Sequence, residues 1–553
     1  MRATGAEAAV AGAAPIAPTP RRRRRAGRPP AALVVVSLAV GALFAAPLAY
    51  LVYRNAVLGA DLPRLLTSRA TLDPLGRTLV LATSVTAAAA VLGTALAWLV
   101  TRADLPGSRV WRLLTPLPLV IPSFVGAAAL VAGFAPGGLL DALVVRLGVE
   151  RLPRVEGFLA AFVVLTLLSY PFVLLPVASR LASLPPSLEE SARLLGRRPR
   201  NIFRTVVLPQ ATGSTWAGAL LVFLYVLSDF GAVSIVRYDT LTRSIYAGRL
   251  FNQPQSIALS LILGVLAVAV VVAERIFSRR RRVITGAAAR PALRVPLGSW
   301  KGPALALVGG TVGLGLVAPV AVLGFWAVRG LVNAEGAVSA VAADPGRLVE
   351  PALNTSVVGV VTAVVAVAVV LPVAMLTARH RQRLADLSNA MVVGGFALPG
   401  LVIALALAFW VRKVPGALVL YQSFPLLVTA YVVHFGAQGL RAADVALASV
   451  PRHLEEAAQV LGAGRWRRLA TVELPLMRPG LLAGAGLVLL STMKELPATL
   501  LLAPIGFETL ATRIWQANAE GFLAETGLTS LVLLALSGGL TWALVIRRAD
   551  RLS

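Results

Sequence analysis

Long apolar runs separated by short basic loops set the pattern of this chain. Runs of 18 or more apolar residues recur along its 553 residues, and each is long enough to cross a hydrocarbon core ~30 Å thick as a helix. The pattern predicts about twelve transmembrane helices, at roughly 31–53, 78–101, 112–134, 157–180, 211–236 and 255–277, then 302–328, 354–378, 388–411, 418–440, 479–504 and 526–546. The predicted fold class is an all-α polytopic membrane protein.

Two interior loops are more polar than the rest and match each other. Ser183–Pro209 reads SLPPSLEESARLLGRRPRNIFRTVVLP and Ser449–Pro475 reads SVPRHLEEAAQVLGAGRWRRLATVELP. Glu189, Glu190, Ala192, Leu195, Gly196, Leu208 and Pro209 recur as Glu455, Glu456, Ala458, Leu461, Gly462, Leu474 and Pro475, always 266 residues on (462 − 196). Thr78, Arg102 and Pro122 recur as Thr355, Arg379 and Pro399 at an offset of 277 (399 − 122). Polar loops this alike mark an internal duplication. Six spans per copy is an even number, so both copies insert the same way up. They form two parallel six-helix repeats about a pseudo-twofold axis along the membrane normal, with a pathway between them. The expected organisation is a disordered basic N-terminal tail (1–30), a first repeat (31–277), a cytoplasmic linker (278–301) and a second repeat (302–553).

Each loop predicts a short helix, a glycine turn and a second amphipathic segment. Leu188, Ala192 and Leu195 lie at i, i+4 and i+7, as do Leu454, Ala458 and Leu461, which is the spacing of an apolar helical stripe. Ser187 and Glu190 have capping-box spacing, whereas His453 replaces the serine in the second copy. Gly196 and Gly462 suit a left-handed helix end. The second segment runs through Ile202 and Phe203, or Trp466 and Leu469, and Leu-Pro then leads into the next apolar run. The expected unit lies on the membrane surface with its carboxylates and arginines outward.

Composition agrees with the span pattern. Hydrophobic residues make up 57% of the chain, charged residues 14%, and mean hydropathy is +0.80, too apolar for a soluble domain of this length. The net charge of +27 does not point to nucleic acid, because the arginines sit at span ends. With the N-terminus in the cytoplasm, 36 Lys/Arg fall on cytoplasmic segments and 15 on outer loops, as the positive-inside rule requires. Both polar loops and the C-terminus then also lie in the cytoplasm.

The chain has no cysteine, so no disulfide or cysteine metal site is expected. His380, His434 and His453 are scattered and predict no metal site. The three lysines, Lys301, Lys413 and Lys494, stand in no P-loop. The chain is therefore not expected to be an enzyme, and any ATP hydrolysis belongs to a partner. Asp229 and Glu495 each lie twenty residues beyond their Leu-Pro (229 − 209, 495 − 475). That is about 30 Å along a helix from the inner face, near the outer end of the fifth span of each repeat. Ionisable groups at such depth are candidate pathway residues. The competing expectation is that each pairs with an outer-loop arginine such as Arg237 or Arg513.

The pattern E-[SA]-A-x3-G followed by Leu-Pro resembles the cytoplasmic EAA loop of permease subunits of bacterial ABC importers. In that family the loop docks into the ATP-hydrolysing subunit. The resemblance gives this role to Glu190, Ala192 and Gly196, and to Glu456, Ala458 and Gly462, with Glu189 and Glu455 beside them. Ser191 departs from the favoured alanine. LSDFGAVSIVRYDTLTRSIY (227–246) and MKELPATLLLAPIGFETLATRIW (493–515) resemble the fused two-repeat permeases of ferric-iron importers, a similarity that covers the chain apart from its tail and linker. It implies Fe(III) handed over by a periplasmic or lipid-anchored binding protein, two copies of an ATPase, a place in the bacterial inner membrane and no resident cofactor. Carboxylates suit such a hard cation. The same machinery for thiamine, a polyamine or a phosphonate is the nearest alternative. A secondary transporter would not need the docking loops, and an intramembrane enzyme would need a polar cluster that Asp229 and Glu495 alone do not make.

Overall fold

The computed structural model describes residues 29–59, 61–141, 155–279, 294–332, 344–380 and 382–541. The expected disordered tail, apart from residues 29 and 30, and most of the expected linker lie outside these.

The first half contains α1 (Ala31–Leu58), α2 (Arg69–Arg102), α3 (Ser123–Phe134), α4 (Gly157–Ser169) and α5 (Pro171–Ala182). The loop helix α6 (Pro186–Leu194) leads to the fifth span α7 (Leu208–Ser228), the short α8 (Gly231–Ile235) and α9 (Gln253–Arg279). The second half repeats the plan with α10 (Ala318–Val332), α11 (Val349–Arg379), α12 (Arg383–Ala397), α13 (Gly400–Lys413) and α14 (Phe424–Ala448). The loop helix α15 (Arg452–Val460), the fifth span α16 (Leu474–Met493), α17 (Pro497–Leu502), α18 (Leu510–Glu520) and α19 (Leu523–Thr541) follow.

Ten helices among the described residues are long and apolar enough to cross a membrane, and the bent pair α12–α13 makes an eleventh. The remaining one of the twelve expected spans corresponds to α14. His434, Gln438 and Arg441 lower its hydropathy, yet it is largely buried and packs on α11 and α16. His434 and Gln438 are partly sheltered by protein, the setting in which membrane helices carry polar groups, whereas Arg441 is exposed.

The third span of each half is broken at a matched proline. Pro122 and Pro399 both adopt extended backbone (ψ 147° and 143°) immediately before α3 and α13, and α12 and α13 meet at 104°. A proline has no N–H to continue the ladder, and its ring disfavours helix in the residue before it.

Within each half, the second, fourth and fifth spans pack together: α2, α5 and α7 in the first, α11, α14 and α16 in the second. The first span of each half crosses over. α1 packs on α12 and α11, and its Phe44 is fully buried in the core of the second half, against Gly395 and Gly436. α10 packs on α3 and α19, and Trp326 Nε1 donates to the Ala132 carbonyl at 2.9 Å. The halves are thus joined by exchanged helices.

Candidate functional site

The two matched loops fold alike. α6 ends at Leu194, and Gly196 follows at φ 73°; α15 ends at Val460, and Gly462 follows at φ 77°. The Gly196 N–H bonds to the Arg193 carbonyl at 2.9 Å and the Arg197 N–H to the Ala192 carbonyl at 3.2 Å. Gly462 to Gln459 (3.0 Å) and Ala463 to Ala458 (2.9 Å) repeat this. This is the Schellman closure, in which the left-handed residue lets orphan carbonyls be satisfied. The second segment is not a separate helix. It continues into the fifth span through one wide turn, Phe203–Val207 in the first copy and Leu469–Glu473 in the second. The Leu208 N–H reaches back five residues to Phe203, and Leu474 to Leu469. The Leu-Pro that follows explains the bulge, because a proline ring clashes with the carbonyl four residues earlier unless the turn widens.

Three local expectations fail here. No side-chain cap forms at Ser187, because Pro185 and Pro186 begin α6 and place the serine inside the first turn. Leu195 and Leu461 do not complete a buried stripe. They sit at the helix end with 78% and 86% of their surface exposed, next to exposed Leu194 and Val460. The carboxylates divide, with Glu190 and Glu456 facing outward while Glu189 is buried and Glu455 half-buried.

Those inward carboxylates meet the arginine that closes the second span of each half. Arg102, the last residue of α2, is paired with Glu189, both almost fully buried. Arg379, the last residue of α11, donates to Glu455 at 2.8 Å. Arg379 also lies 2.8 Å from Glu473, which accepts from Arg468 at 3.0 Å. Glu473 and Arg468 stand where the first half has Val207 and Ile202 (473 − 266, 468 − 266). The first half instead keeps a largely apolar cavity of about 810 Å³ there, bounded by Trp98, Phe203, Val207 and Trp216. A backbone bridge from Val295 to Ala103 and a 2.8 Å contact from Lys301 to Asp104 fasten the end of the linker beside Arg102. The Asp104 carboxyl is held below the usual carboxylate range, first by its bond from Lys301 and then by the Leu297 N–H. Arg102 and Arg379 already stood out as a matched pair closing matched spans, but Glu473, present in one copy only, gave no such signal.

At the other end of the fifth spans, Asp229 and Glu495 also occupy equivalent places. Asp229 follows the last residue of α7, is 7% exposed, and accepts from the Val233 N–H at 3.2 Å. Glu495 accepts from the Ala498 N–H at 3.2 Å. Each carboxylate also lies against the first residue after the matched proline, Asp229 against Ser123 and Glu495 against Gly400, again 277 apart (400 − 123). Each acid therefore sits where two helices begin. His434 Nε2 is 4.0 Å from Glu495. Arg513 pairs instead with Glu525 and, at 3.3 Å, with Glu508. Lys494 turns away from Glu495 and reaches the Leu119 carbonyl of the first half at 3.4 Å. Phe230 and Trp515 meet across the same boundary with ring centres 5.3 Å apart.

The family model described as binding-protein-dependent transport system inner membrane component matches the chain twice, at residues 89–283 and 370–551. Each match contains one copy of the loop. The chain is 29% identical over 518 residues to the Fe(3+)-transport system permease protein FbpB 2 of Haemophilus influenzae, covering 92% of this chain and 97% of that protein. It is 32% identical over 217 residues to the inner membrane ABC transporter permease protein YdcU of Escherichia coli, covering 36% of this chain and 69% of that one. It is also 32% identical over 146 residues to the sulfate transport system permease protein CysT of Salmonella typhimurium, 26% of this chain and 52% of that one.

Proposed function

The chain belongs to the family of binding-protein-dependent transport system inner membrane components, and on that premise we propose that it is the fused permease subunit of an importer for Fe(III). An extracytoplasmic binding protein presents the ion, the pathway between the halves conducts it, and two copies of a separate ATPase drive the cycle. The N- and C-termini face the cytoplasm. The observation that most supports the choice of iron is similarity to an Fe(3+) permease along 92% of the chain, where the sulfate relative matches about a quarter.

The loops supply the coupling. Glu190, Gly196 and the exposed tip of α6 dock in one ATPase, and Glu456, Gly462 and the tip of α15 in the other. Exposed Leu194 and Leu195, with Val460 and Leu461 at the matched places, supply apolar surface of the kind that the fully buried core of an interface contains. Ala192 and Ala458 close the glycine turns. Glu189 and Glu455, held by Arg102 and Arg379, transmit the movement to α2 and α11.

The test is uptake of radioactive iron by proteoliposomes containing the chain, its ATPase and its binding protein, with sulfate, thiamine, a polyamine and a phosphonate in parallel. ATP-dependent uptake of iron alone supports the reading. Uptake of sulfate instead would replace the substrate while keeping the mechanism.

A further inference from the structure

On the face opposite the coupling loops, α1, α9 and α13 converge on a small polar cavity of about 120 Å³. Tyr50 and Arg54 lie one turn apart on α1 and so share a face of it. Gln253 opens α9, and Arg412 and Lys413 close α13. None of the lining residues is acidic. The ordinary reading of arginine and lysine at span ends is that they reach for the water interface. That reading accounts for exposed Arg412 and Lys413, but not for Tyr50 Oη and Arg54 Nε. Both atoms are buried, with no hydrogen-bond partner among the described residues. Nor does topology explain three cations here, since the positive-inside rule places surplus charge at the opposite end of the spans.

We propose that this junction binds a phosphate-class oxyanion. The two orphaned atoms are hydrogen-bond donors, the three cations supply charge, and an arginine fork matches a tetrahedral oxyanion. The cavity, about 120 Å³, is roomy enough for one such group. Two walls belong to the first half and one to the second, so the anion fastens the halves together at that face. The phosphate group comes either from free phosphate or from a phospholipid headgroup, and both present the same oxygens.

The experiment compares the full chain with an Arg412→Gln/Lys413→Gln variant, both purified in neutral detergent. Thermal unfolding is followed against inorganic phosphate, with sodium chloride at matched ionic strength as control. Native mass spectrometry counts retained phosphatidylglycerol. If free phosphate is the ligand, it raises the midpoint of the wild type by several degrees and the variant needs at least tenfold more. If the headgroup is the ligand, the wild type retains phosphatidylglycerol that the variant loses. Arg54→Lys, which keeps the charge but removes Nε, weakens whichever response is seen. Equal phosphate response and equal lipid retention in wild type and variant would overturn the proposal.

Discussion

Arg379 and Glu473 stand 2.8 Å apart at the base of the second half, and Glu473 is 1% exposed. The first half has no such pair, because Val207 occupies the equivalent place. Arg379 therefore serves two carboxylates, whereas Glu189 is held by Arg102 in a drier setting. Removing one partner of a buried pair costs about 3–5 kcal/mol. The pair with Glu455 is 22% exposed on both sides, and buried Glu473 keeps Arg468 when Arg379 is lost, so removing Arg379 costs less. Arg102→Met is thus expected to lower the thermal midpoint and ATPase retention more than Arg379→Met. An Arg102→Met/Glu189→Met double variant should recover much of the midpoint while remaining uncoupled. Equal loss in the single and double variants would show that the pair is not the latch.

Gly196 and Gly462 each adopt positive φ, and among the described residues no atom beyond their chain neighbours lies within 4 Å of where the first carbon of a side chain would sit. The cost of replacing them is then purely backbone, about 1–2 kcal/mol for a branched residue forced left-handed. Gly196→Val and Gly462→Val should insert normally but retain less ATPase or hydrolyse ATP without transport. Asparagine tolerates this conformation, so Gly196→Asn should stay near wild type. Co-purification of the ATPase separates the outcomes, and full retention by both valine variants would remove the coupling role from these turns.

The repeat and the turns were legible because their causes are local. A left-handed closure favours glycine wherever the fold places it, and Leu-Pro marks a helix start or a bulge in any context. Glu189 facing inward was not legible, since its partner Arg102 is 87 residues away and exposure depends on how α6 lies against α2. Leu195 misled for a related reason: its spacing fits a stripe, but the helix stops before the stripe closes. The exchange of α1 and α10 left no trace in the pattern, because an apolar helix surface serves equally against its own half or the other.

Contact between the halves is testable in a chain that lacks cysteine. Lys494 reaches Leu119 across the boundary, whereas Ala232 and Ala498 are buried against α3 and α13 of their own halves. Cysteines at Leu119 and Lys494 should be joined by a short bifunctional maleimide, shifting mobility on a denaturing gel after cleavage at a protease site placed between residues 280 and 293. The Ala232–Ala498 pair should remain unjoined under the same conditions. The reverse pattern would reject this packing.

Asp229 and Glu495 allow the sharpest separation of charge from structure. Their carboxylates cap helix starts at Val233 and Ala498, which would by itself explain two buried acids. Yet an amide caps as well as an acid, so capping alone does not require the charge. Asp229→Asn with Glu495→Gln keeps an acceptor for each N–H and removes both carboxylates from the ends of the fifth spans that lie opposite the loops. If those charges lower the energy of a polyvalent cation as it leaves its carrier, the amide variant should assemble, bind its partner proteins normally and take up iron about tenfold more slowly. That corresponds to ~1.4 kcal/mol. Asp229→Ala with Glu495→Ala should lose the caps as well, at about 1 kcal/mol each, and unfold at lower temperature. Uptake in proteoliposomes, read beside binding-protein affinity and thermal midpoint, distinguishes the two roles. Wild-type uptake by the amide variant would leave the acids as helix caps and move the receiving site elsewhere.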